Sequence, residues 1–199
     1  MAITAQTVAA LRDKTGAGMM DCKRALEQAE GDVEAAVKVL REKGMAQAAK
    51  RMGRAASEGT VGSYVHMGGK IAVMVELNCE TDFVAKNDEF QNLARELAMQ
   101  VASANPSYLR PEDIPAEVLE REKGIAETFA RNEGRPEAAL PKIVEGRVKK
   151  FSEESSLLTQ PYIREPKRKV EDLVQDVRVK LGENIVVRRF VRFQVGEEV

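Results

Sequence analysis

Three carboxylates that could support acid–base chemistry or hold a divalent cation stand close together in the sequence, at Glu76, Glu80 and Asp82. Paired-carboxylate enzymes and divalent-metal sites need further oxygen ligands in a defined geometry, which this stretch does not supply. The pattern therefore favours solvated acidic positions at the end of a strand over a catalytic or metal-binding site.

The single histidine, His66, could act as a general base only beside a nucleophile. Ser63 lies three residues earlier on the same predicted strand, so the two side chains point to opposite faces. The dipeptide Gly69-Lys70 is reminiscent of a phosphate loop, but that motif needs a glycine where Tyr64 stands and a serine or threonine where Ile71 stands. A tight turn between two strands is the better interpretation.

The two cysteines, Cys22 and Cys79, lie far apart in the chain. Neither has another cysteine or histidine at the spacing of a zinc site, so reduced thiols are the simplest interpretation. Since neither a metal site nor a nucleophile–base pair emerges, we predict that the protein is not an enzyme and uses no metal or cofactor.

The composition is that of an ordinary globular protein. The 199 residues include 31 basic and 32 acidic side chains and 43% hydrophobic residues, and the formal net charge is −1. This balance excludes wholesale disorder and argues against a protein that binds nucleic acid directly. We expect a cytoplasmic protein with no membrane contact, because the chain lacks a long apolar run and a signal pattern at its N-terminus.

Helical patterns organise the N-terminal part of the chain. The first predicted helix ends at Gly16, the second extends from Asp21 to Gly31, and the third extends from its N-cap Asp32 to Gly44. We therefore predict a three-helix module at residues 1–44. Residues 45–57 are rich in alanine and basic side chains, which predicts a partly helical basic linker.

Residues 58–199 are predicted to form an α+β domain. Alternating apolar residues indicate a hairpin that turns at Gly68-Gly69. Its buried face is predicted to contain Val61, Ser63, Val65, Ile71, Val73, Val75 and Leu77.

Further elements of this domain follow from helical periodicity and from β-branched residues. A long helix is predicted to begin at Asn87 or Asp88 and to end at Asn105-Pro106. Residues 111–165 read as helical, and a last helix is predicted over Val170–Leu181. The final strand, Ile185–Val195, is predicted to join the hairpin, which gives a small sheet packed with helices.

Four sequence blocks carry more specific information than the composition does. They are LRDKTGAGMMDCKRAL at 11–26, ELNCETDFVA at 76–85, FQNLA at 90–94 and GENIVVRRF at 182–190. In this order, and across nearly the whole chain, they closely resemble bacterial translation elongation factor Ts in its short form with a single core half.

The resemblance implies a guanine-nucleotide exchange factor for elongation factor Tu. In that family a segment after the second strand disturbs the Mg²⁺ and phosphate-loop site of the GTPase, so that GDP leaves and GTP can bind. By this resemblance the active segment consists of Thr81, Asp82, Phe83 and Val84.

The resemblance also implies that the N-terminal module is similar to ubiquitin-associated domains and docks on the GTPase domain of the partner. Adjacent methionines cannot both point inward on one short helix, and flexible methionine suits a docking surface. Basic side chains beside them could reach acidic groups on the partner. The candidate partner-binding residues of this module are Arg12, Met19, Met20 and Lys23.

The position of Phe83 has two interpretations. Near-heptad spacing with Phe90 and Leu97 would place it in the core stripe of one continuous helix. A helix start at Asn87-Asp88 would instead leave it in a connecting loop. The resemblance favours the second interpretation, an exposed aromatic wedge.

Only one Thr-Asp-Phe segment is present, whereas the longer family members carry two core halves. By similarity to the short members, we expect a homodimer that binds two GTPase molecules, with association near the edge strand Ile185–Val195. Two alternatives from other classes stay open. One is a helical adaptor that binds a protein through its N-terminal module alone, and the other is an RNA- or ribosome-binding protein that uses Lys50, Arg51, Arg54 and Lys167-Arg168-Lys169.

Overall fold

The computed structural model describes residues 3–197. The α-helices of this part are α1 (Ala5–Thr15), α2 (Met19–Gln28), α3 (Val33–Arg51), α4 (Asp82–Ala85), α5 (Asp88–Ala104), α6 (Ala116–Asn132), α7 (Leu140–Ser155) and α8 (Val170–Leu181). The strands are β1 (Glu58–Val65), β2 (Ile71–Cys79), β3 (Pro161–Tyr162), β4 (Glu165–Lys169) and β5 (Val186–Gln194). Short 3-10 helices lie at Pro111–Asp113, Glu137–Ala139 and Leu157–Thr159. The predicted α+β class is confirmed.

The three N-terminal helices enclose a small apolar core. Its buried residues are Val8, Leu11, Cys22, Ala25, Leu26, Ala36 and Leu40. Gly16 ends α1 in the left-handed conformation, at φ 68°, as the sequence predicts. The carboxylate of Asp32 accepts a hydrogen bond from the Ala35 amide at 3.0 Å, which confirms it as the N-cap of α3.

The predicted start of the second helix at Asp21 is wrong. Helix α2 begins at Met19 with Gly18 as its N-cap, and the Cys22 amide donates to the Gly18 carbonyl. The carboxylate of Asp21 instead accepts from Lys43 at 2.6 Å and from Arg24 at 2.8 Å. The hydrogen bond from Lys43 lowers the pKa of Asp21, so this acid joins α2 to α3 as a carboxylate.

The predicted end of the third helix at Gly44 is also wrong, because α3 continues to Arg51. A Cβ atom on Gly44 would lie only 2.4 Å from Cγ1 of Val179 on α8. Glycine at this position therefore permits a close approach of two helices and does not end one. The predicted basic linker, residues 45–57, is accordingly helical in its first half.

Strands β1, β2 and β5 form a three-stranded sheet in the order β1-β2-β5, which confirms the predicted small antiparallel sheet in which the last strand joins the hairpin. The hairpin turns at Gly68-Gly69, where both residues have positive φ. Strand β2 buries Val73, Val75 and Leu77, which also agrees with the sequence.

The predicted buried face of β1 is wrong. Val61 and Val65 are 60% and 63% exposed, whereas Gly62 and Tyr64 lie on the more buried face. A Cβ atom on Gly62 would lie 2.5 Å from the Ala94 carbonyl oxygen of α5. The strand thus packs its glycine against the helix backbone and leaves its valines outside.

Strands β3 and β4 form a separate two-stranded sheet inside the region predicted as helical. Tyr162 pairs with Glu165, and its hydroxyl donates to the buried Glu96 at 2.6 Å. Arg164 forms an ion pair with the same carboxylate at 2.8 Å. These contacts fix a hairpin that hydrophobic alternation does not reveal, because β3 has only two residues and four of the five residues of β4 are charged.

The other predicted helices are confirmed. Helix α5 begins at Asp88, and Asn105 follows it with a positive φ of 45°. Helix α8 has the predicted bounds and is followed by Gly182 at φ 72°. Pro115, Pro136 and Pro141 stand at or beside the starts of the elements that follow them.

The chain forms two compact units. The first contains the residues up to Thr60, together with Asn78–Gln91 and Val174–Val186, and the second contains Val61–Leu77, Asn92–Leu173 and the residues from Val187 onward. The predicted domain boundaries at residues 44 and 57 stay predictions. Among residues 3–197, no helix has the length and apolar character needed to cross a membrane.

Candidate partner-binding site

The Thr81–Val84 segment lies between β2 and α5 and begins a one-turn helix, α4, where the sequence predicts a loop. Thr81 is its N-cap, and the Thr81 hydroxyl accepts from the Val84 amide at 3.4 Å. Gln91 closes the far end by donating its side-chain amide to the Ala85 carbonyl. The segment therefore has a defined backbone conformation on the surface.

Phe83 is 82% exposed, which agrees with the predicted exposed position and excludes the core-stripe interpretation. The helical path breaks between α4 and α5, where the Asn87 side chain accepts from the Glu89 amide at 2.9 Å. Phe90, at the start of α5, is completely buried. An aromatic ring this exposed contributes little to the stability of its own fold and is accessible to a partner protein. Its role in binding stays a prediction.

Asp82 forms an ion pair with Lys86, one helical turn further on, at 2.7 Å. The hydrogen bond from Lys86 lowers the pKa of Asp82 below its usual value and raises the pKa of Lys86. Asp82 is therefore a carboxylate at neutral pH. Lys86 is absent from the predicted site, although its spacing of four residues from Asp82 is a recognisable helix signal.

The segment is anchored from outside by Glu183, which follows α8 and Gly182. One carboxylate oxygen of Glu183, Oε2, accepts from the Glu80 amide at 2.9 Å and from the Thr81 amide at 3.1 Å. The other, Oε1, accepts from the Thr81 hydroxyl at 2.6 Å. Three hydrogen bonds to one carboxylate fix the start of the exposed helix.

A second set of contacts surrounds this anchor. Oε1 of Glu80 accepts from the Asn184 amide at 2.7 Å, and the buried Asn184 side chain donates to the Arg54 carbonyl at 2.8 Å. The guanidinium of Arg54 reaches Oε2 of Glu80 at 3.5 Å. The residue pairs 80–81 and 183–184 thus hold each other through both backbone and side-chain groups.

The three carboxylates considered from the sequence do not converge on one point. Glu76 pairs with Arg189 at 2.7 Å, whereas Glu80 and Asp82 bind the partners described above. Within residues 3–197, no group of three or more potential ligands is arranged to hold a metal ion. Each of these acids therefore has a separate partner within the chain.

Cys79, the last residue of β2, is a buried neighbour of the Thr81–Val84 segment. It is fully buried, and its thiol donates to the Thr81 carbonyl at 3.2 Å. Burial, assisted by the negative charge of Glu183, raises the pKa of Cys79 from 9.0 to about 11. The folded protein therefore holds this proton more tightly than the unfolded chain does, so we expect an unreactive thiol at neutral pH.

This shift predicts an alkaline loss of stability. The contribution of the Cys79 thiol is fully present below about pH 9 and is lost as the pH rises from about 9 to about 11. The free energy of unfolding of the Cys79→Ala variant should therefore fall by about 2 kcal/mol less than that of the wild type over this range. Urea unfolding at pH 8 and at pH 10.5 measures both changes, and parallel losses in the two proteins would exclude the assignment.

The predicted residues of the N-terminal module are exposed. Met19 and Met20 are 43% and 65% exposed in the first turn of α2. Lys23 follows them on α2, 3.8 Å from Glu27, and Arg12 lies on the surface of α1. Exposure makes all four side chains available to a partner, while their joint action with Thr81–Val84 stays a prediction.

Comparison with known proteins places the chain among translation factors. The model of a family described as elongation factor TS matches residues 2–197. Elongation factor Ts of Thermoanaerobacter sp. (strain X514) is 56% identical over 197 residues, covering 99% of this chain and 97% of that protein. Elongation factor Ts of Carboxydothermus hydrogenoformans is 57% identical over 195 residues, covering 98% and 90% of the two chains. The protein of that name from Nitratidesulfovibrio vulgaris is 54% identical over 198 residues, covering 100% and 99%.

Proposed function

The chain belongs to the elongation factor Ts family, and from this premise we propose that it is the guanine-nucleotide exchange factor for elongation factor Tu in translation elongation, acting in the cytoplasm. It binds the GDP-loaded GTPase and accelerates GDP release, so that GTP can bind, and it catalyses no covalent reaction itself. The observation that carries the proposal is Phe83, an aromatic side chain 82% exposed on a one-turn helix that Glu183 anchors.

The physical task is to weaken the hold of a GTPase on its nucleotide. GDP is held by Mg²⁺ and by backbone amides around its phosphates. In the proposed complex the Phe83 ring enters an apolar slot of the partner and displaces its switch elements. The Asp82 carboxylate, which is ionised at neutral pH, adds a negative charge beside the Mg²⁺ site and disturbs the coordination of the ion.

The energetics require more than the Thr81–Val84 segment. Raising a dissociation rate about 10⁴-fold requires roughly 5.5 kcal/mol of differential stabilisation. A single buried aromatic anchor contributes on the order of 2 to 4 kcal/mol. We therefore propose that the N-terminal module supplies the remainder, with Met19 and Met20 as its apolar contacts and with Arg12 and Lys23 as its charged ones.

Thermodynamic reciprocity gives the test of this function. A factor that weakens GDP binding must itself bind the GDP-loaded partner more weakly by the same factor. Titration calorimetry with nucleotide-free and with GDP–Mg²⁺-loaded elongation factor Tu is expected to give much the higher affinity for the nucleotide-free form. Equal affinities for the two forms would mean that binding is not coupled to exchange.

We further propose that two copies of the chain associate through the outer face of the three-stranded sheet. The ion pair of Arg189 with Glu76 aligns the exposed residues of β5 with those of β2. The exposed apolar residues of this sheet and its end are Val61, Val65, Met74, Val191, Phe193 and Val195. A patch of this kind on a small sheet favours a self-complementary contact, and the dimer would bind two GTPase molecules.

The dimer proposal predicts a change in molecular mass. Phe193 is 58% exposed, so Phe193→Asp should leave the fold intact while placing a charge in the contact. Sedimentation velocity at micromolar concentration should show a dimer for the wild type and a monomer for Phe193→Asp. Ile125→Asp on α6, at a site 54% exposed, is the matched control and should stay dimeric. A monomeric wild type would overturn the proposal.

A further inference from the structure

We propose that Glu183 is a positioning residue for nucleotide exchange: its carboxylate holds the Thr81–Val84 segment in the conformation that presents Phe83 to the partner. This inference rests on the proposed exchange function. It assigns a role to a residue that acts through the segment and that lies 102 positions away from Thr81 in the sequence.

The segment needs an external anchor because it cannot hold itself. Helix α4 contains only four residues, Asp82–Ala85, and a single helical turn is unfavourable in isolation because few hydrogen bonds offset the ordering of its backbone. Its N-cap contact, from the Val84 amide to the Thr81 hydroxyl, is long at 3.4 Å. The ion pair of Asp82 with Lys86 is exposed to solvent on both sides and adds little.

Glu183 supplies what the segment lacks. Its two oxygens accept three hydrogen bonds, from the amides of Glu80 and Thr81 and from the Thr81 hydroxyl, at 2.9, 3.1 and 2.6 Å. The hydroxyl can donate to Glu183 while it accepts from Val84, so the carboxylate also orients the N-cap. Hydrogen bonds to an ionised acceptor are stronger than neutral ones, so Glu183 strongly restrains the start of the segment, while Gln91 holds its far end.

Glu183 is in turn connected to the N-terminal module through α8, which contacts α3 and the end of α1. It follows α8, and Val179 of α8 packs so closely on α3 that there is no room for a Cβ atom at Gly44. Lys180 of α8 lies against Gly16 at the end of α1, where an added Cβ would be 3.3 Å from its Cε. The α8–Glu183 connection therefore joins the N-terminal module to the Thr81–Val84 segment, and both belong to the same compact unit.

The role of Glu183 can be separated from that of docking by saturation kinetics. Release of a fluorescent GDP analogue from elongation factor Tu is measured at increasing concentrations of the factor. For Glu183→Ala the maximal release rate is expected to fall about tenfold, since the segment must be ordered within the complex, whereas for Glu183→Gln it should fall about threefold. The concentration for half-maximal release should change by less than about twofold, because the docking residues are untouched. Glu171→Ala, an exposed glutamate on α8, is the control and should match the wild type.

A double-mutant cycle provides a second readout that a general loss of stability does not reproduce. Thr81→Val removes the hydroxyl that donates to Glu183 and accepts from the Val84 amide, so its effect on the maximal rate should be clearly smaller in the Glu183→Ala background than in the wild type. Hydrogen exchange of the Glu80 and Thr81 amides should accelerate in Glu183→Ala while the amides of α5 keep their protection.

Each outcome has a distinct meaning. Full acceleration by Glu183→Ala at the wild-type maximal rate would overturn the positioning role and leave the exchange function standing. A lower melting temperature with additive effects of Thr81→Val and Glu183→Ala would also overturn it, because the two groups would then act independently. A folded wild type that accelerates nothing would overturn the exchange function and this inference together.

Discussion

Replacing Phe83 by alanine is expected to lower the maximal rate of factor-induced GDP release from elongation factor Tu by about 10²-fold. The ring is 82% exposed in the free protein, so its removal costs the fold little. In the proposed complex the same ring becomes buried in the partner and acts as an anchor of the kind that dominates interface energies. Stopped-flow release of a fluorescent GDP analogue, with the factor in excess, measures the effect directly.

The matched control for Phe83→Ala is Phe129→Ala, which removes another exposed ring, 47% exposed on α6. We expect this control to release GDP as the wild type does. Wild-type rates for Phe83→Ala would contradict the wedge role. If Phe83→Ala kept its activity while joint alanine substitution of Met19 and Met20 abolished it, the helical adaptor considered from the sequence would become the better explanation.

The second large effect concerns stability, at Gly62 on β1. A Cβ atom there would lie 2.5 Å from the carbonyl oxygen, 2.6 Å from the carbonyl carbon and 2.7 Å from Cβ of Ala94. Two of these atoms belong to the backbone of the buried helix α5, so moving them would disturb the packing of the whole helix. Gly62→Ala is therefore expected to lower the free energy of unfolding by about 3 kcal/mol, with a fall of roughly 6–12 °C in the melting temperature.

Gly124→Ala is expected to change the free energy of unfolding in the opposite direction to Gly62→Ala. Gly124 lies inside α6, and a Cβ atom added there would have no heavy atom within 4 Å beyond its own helical turn. The substitution should stabilise the protein by roughly 0.5–1 kcal/mol, since alanine loses less backbone entropy in a helix. Thermal unfolding of both variants checks the pair, and a Gly62→Ala protein as stable as the wild type would refute the close packing of β1 on α5.

Local signals predict the elements of this fold well where one residue decides the geometry. Gly16 and Gly182 end helices through positive φ, and Asp32 caps α3 with its own carboxylate. Gly44 shows the limit of such signals. A glycine at the end of a helical pattern predicts the end of the helix, but Gly44 lies inside α3. It is needed there because Val179, far away in the sequence, packs against it.

The sheet shows a second limit. Alternation predicts that β1 has two different faces, but it does not say which face is covered. The face of β1 that carries Gly62 packs against α5. The opposite face, with Val61 and Val65, is exposed and is available for contact with a partner. The β3–β4 hairpin escapes prediction because its contacts to Glu96 and Gln100 come from α5 and not from its own pattern.

The candidate site also contains residues that the sequence identifies and residues that only the folded structure brings together. The sequence blocks identify Thr81–Val84, and the exposure of Phe83 agrees with that identification. The anchor cannot be found locally, because Glu183 and Asn184 meet residues 80 and 81 only after the chain has folded. Lys86 could have been found, since an acid and a lysine four residues apart form a pair whenever the segment is helical.

The central claim is that this chain accelerates nucleotide release from a GTPase, and one time course tests it most directly. Elongation factor Tu loaded with a fluorescent GDP analogue and Mg²⁺ is mixed with excess unlabelled GDP, with and without the wild-type chain. We predict that catalytic amounts of the chain increase the release rate by several orders of magnitude. An unchanged release rate, measured with a folded chain that demonstrably binds the GTPase, would contradict the claim.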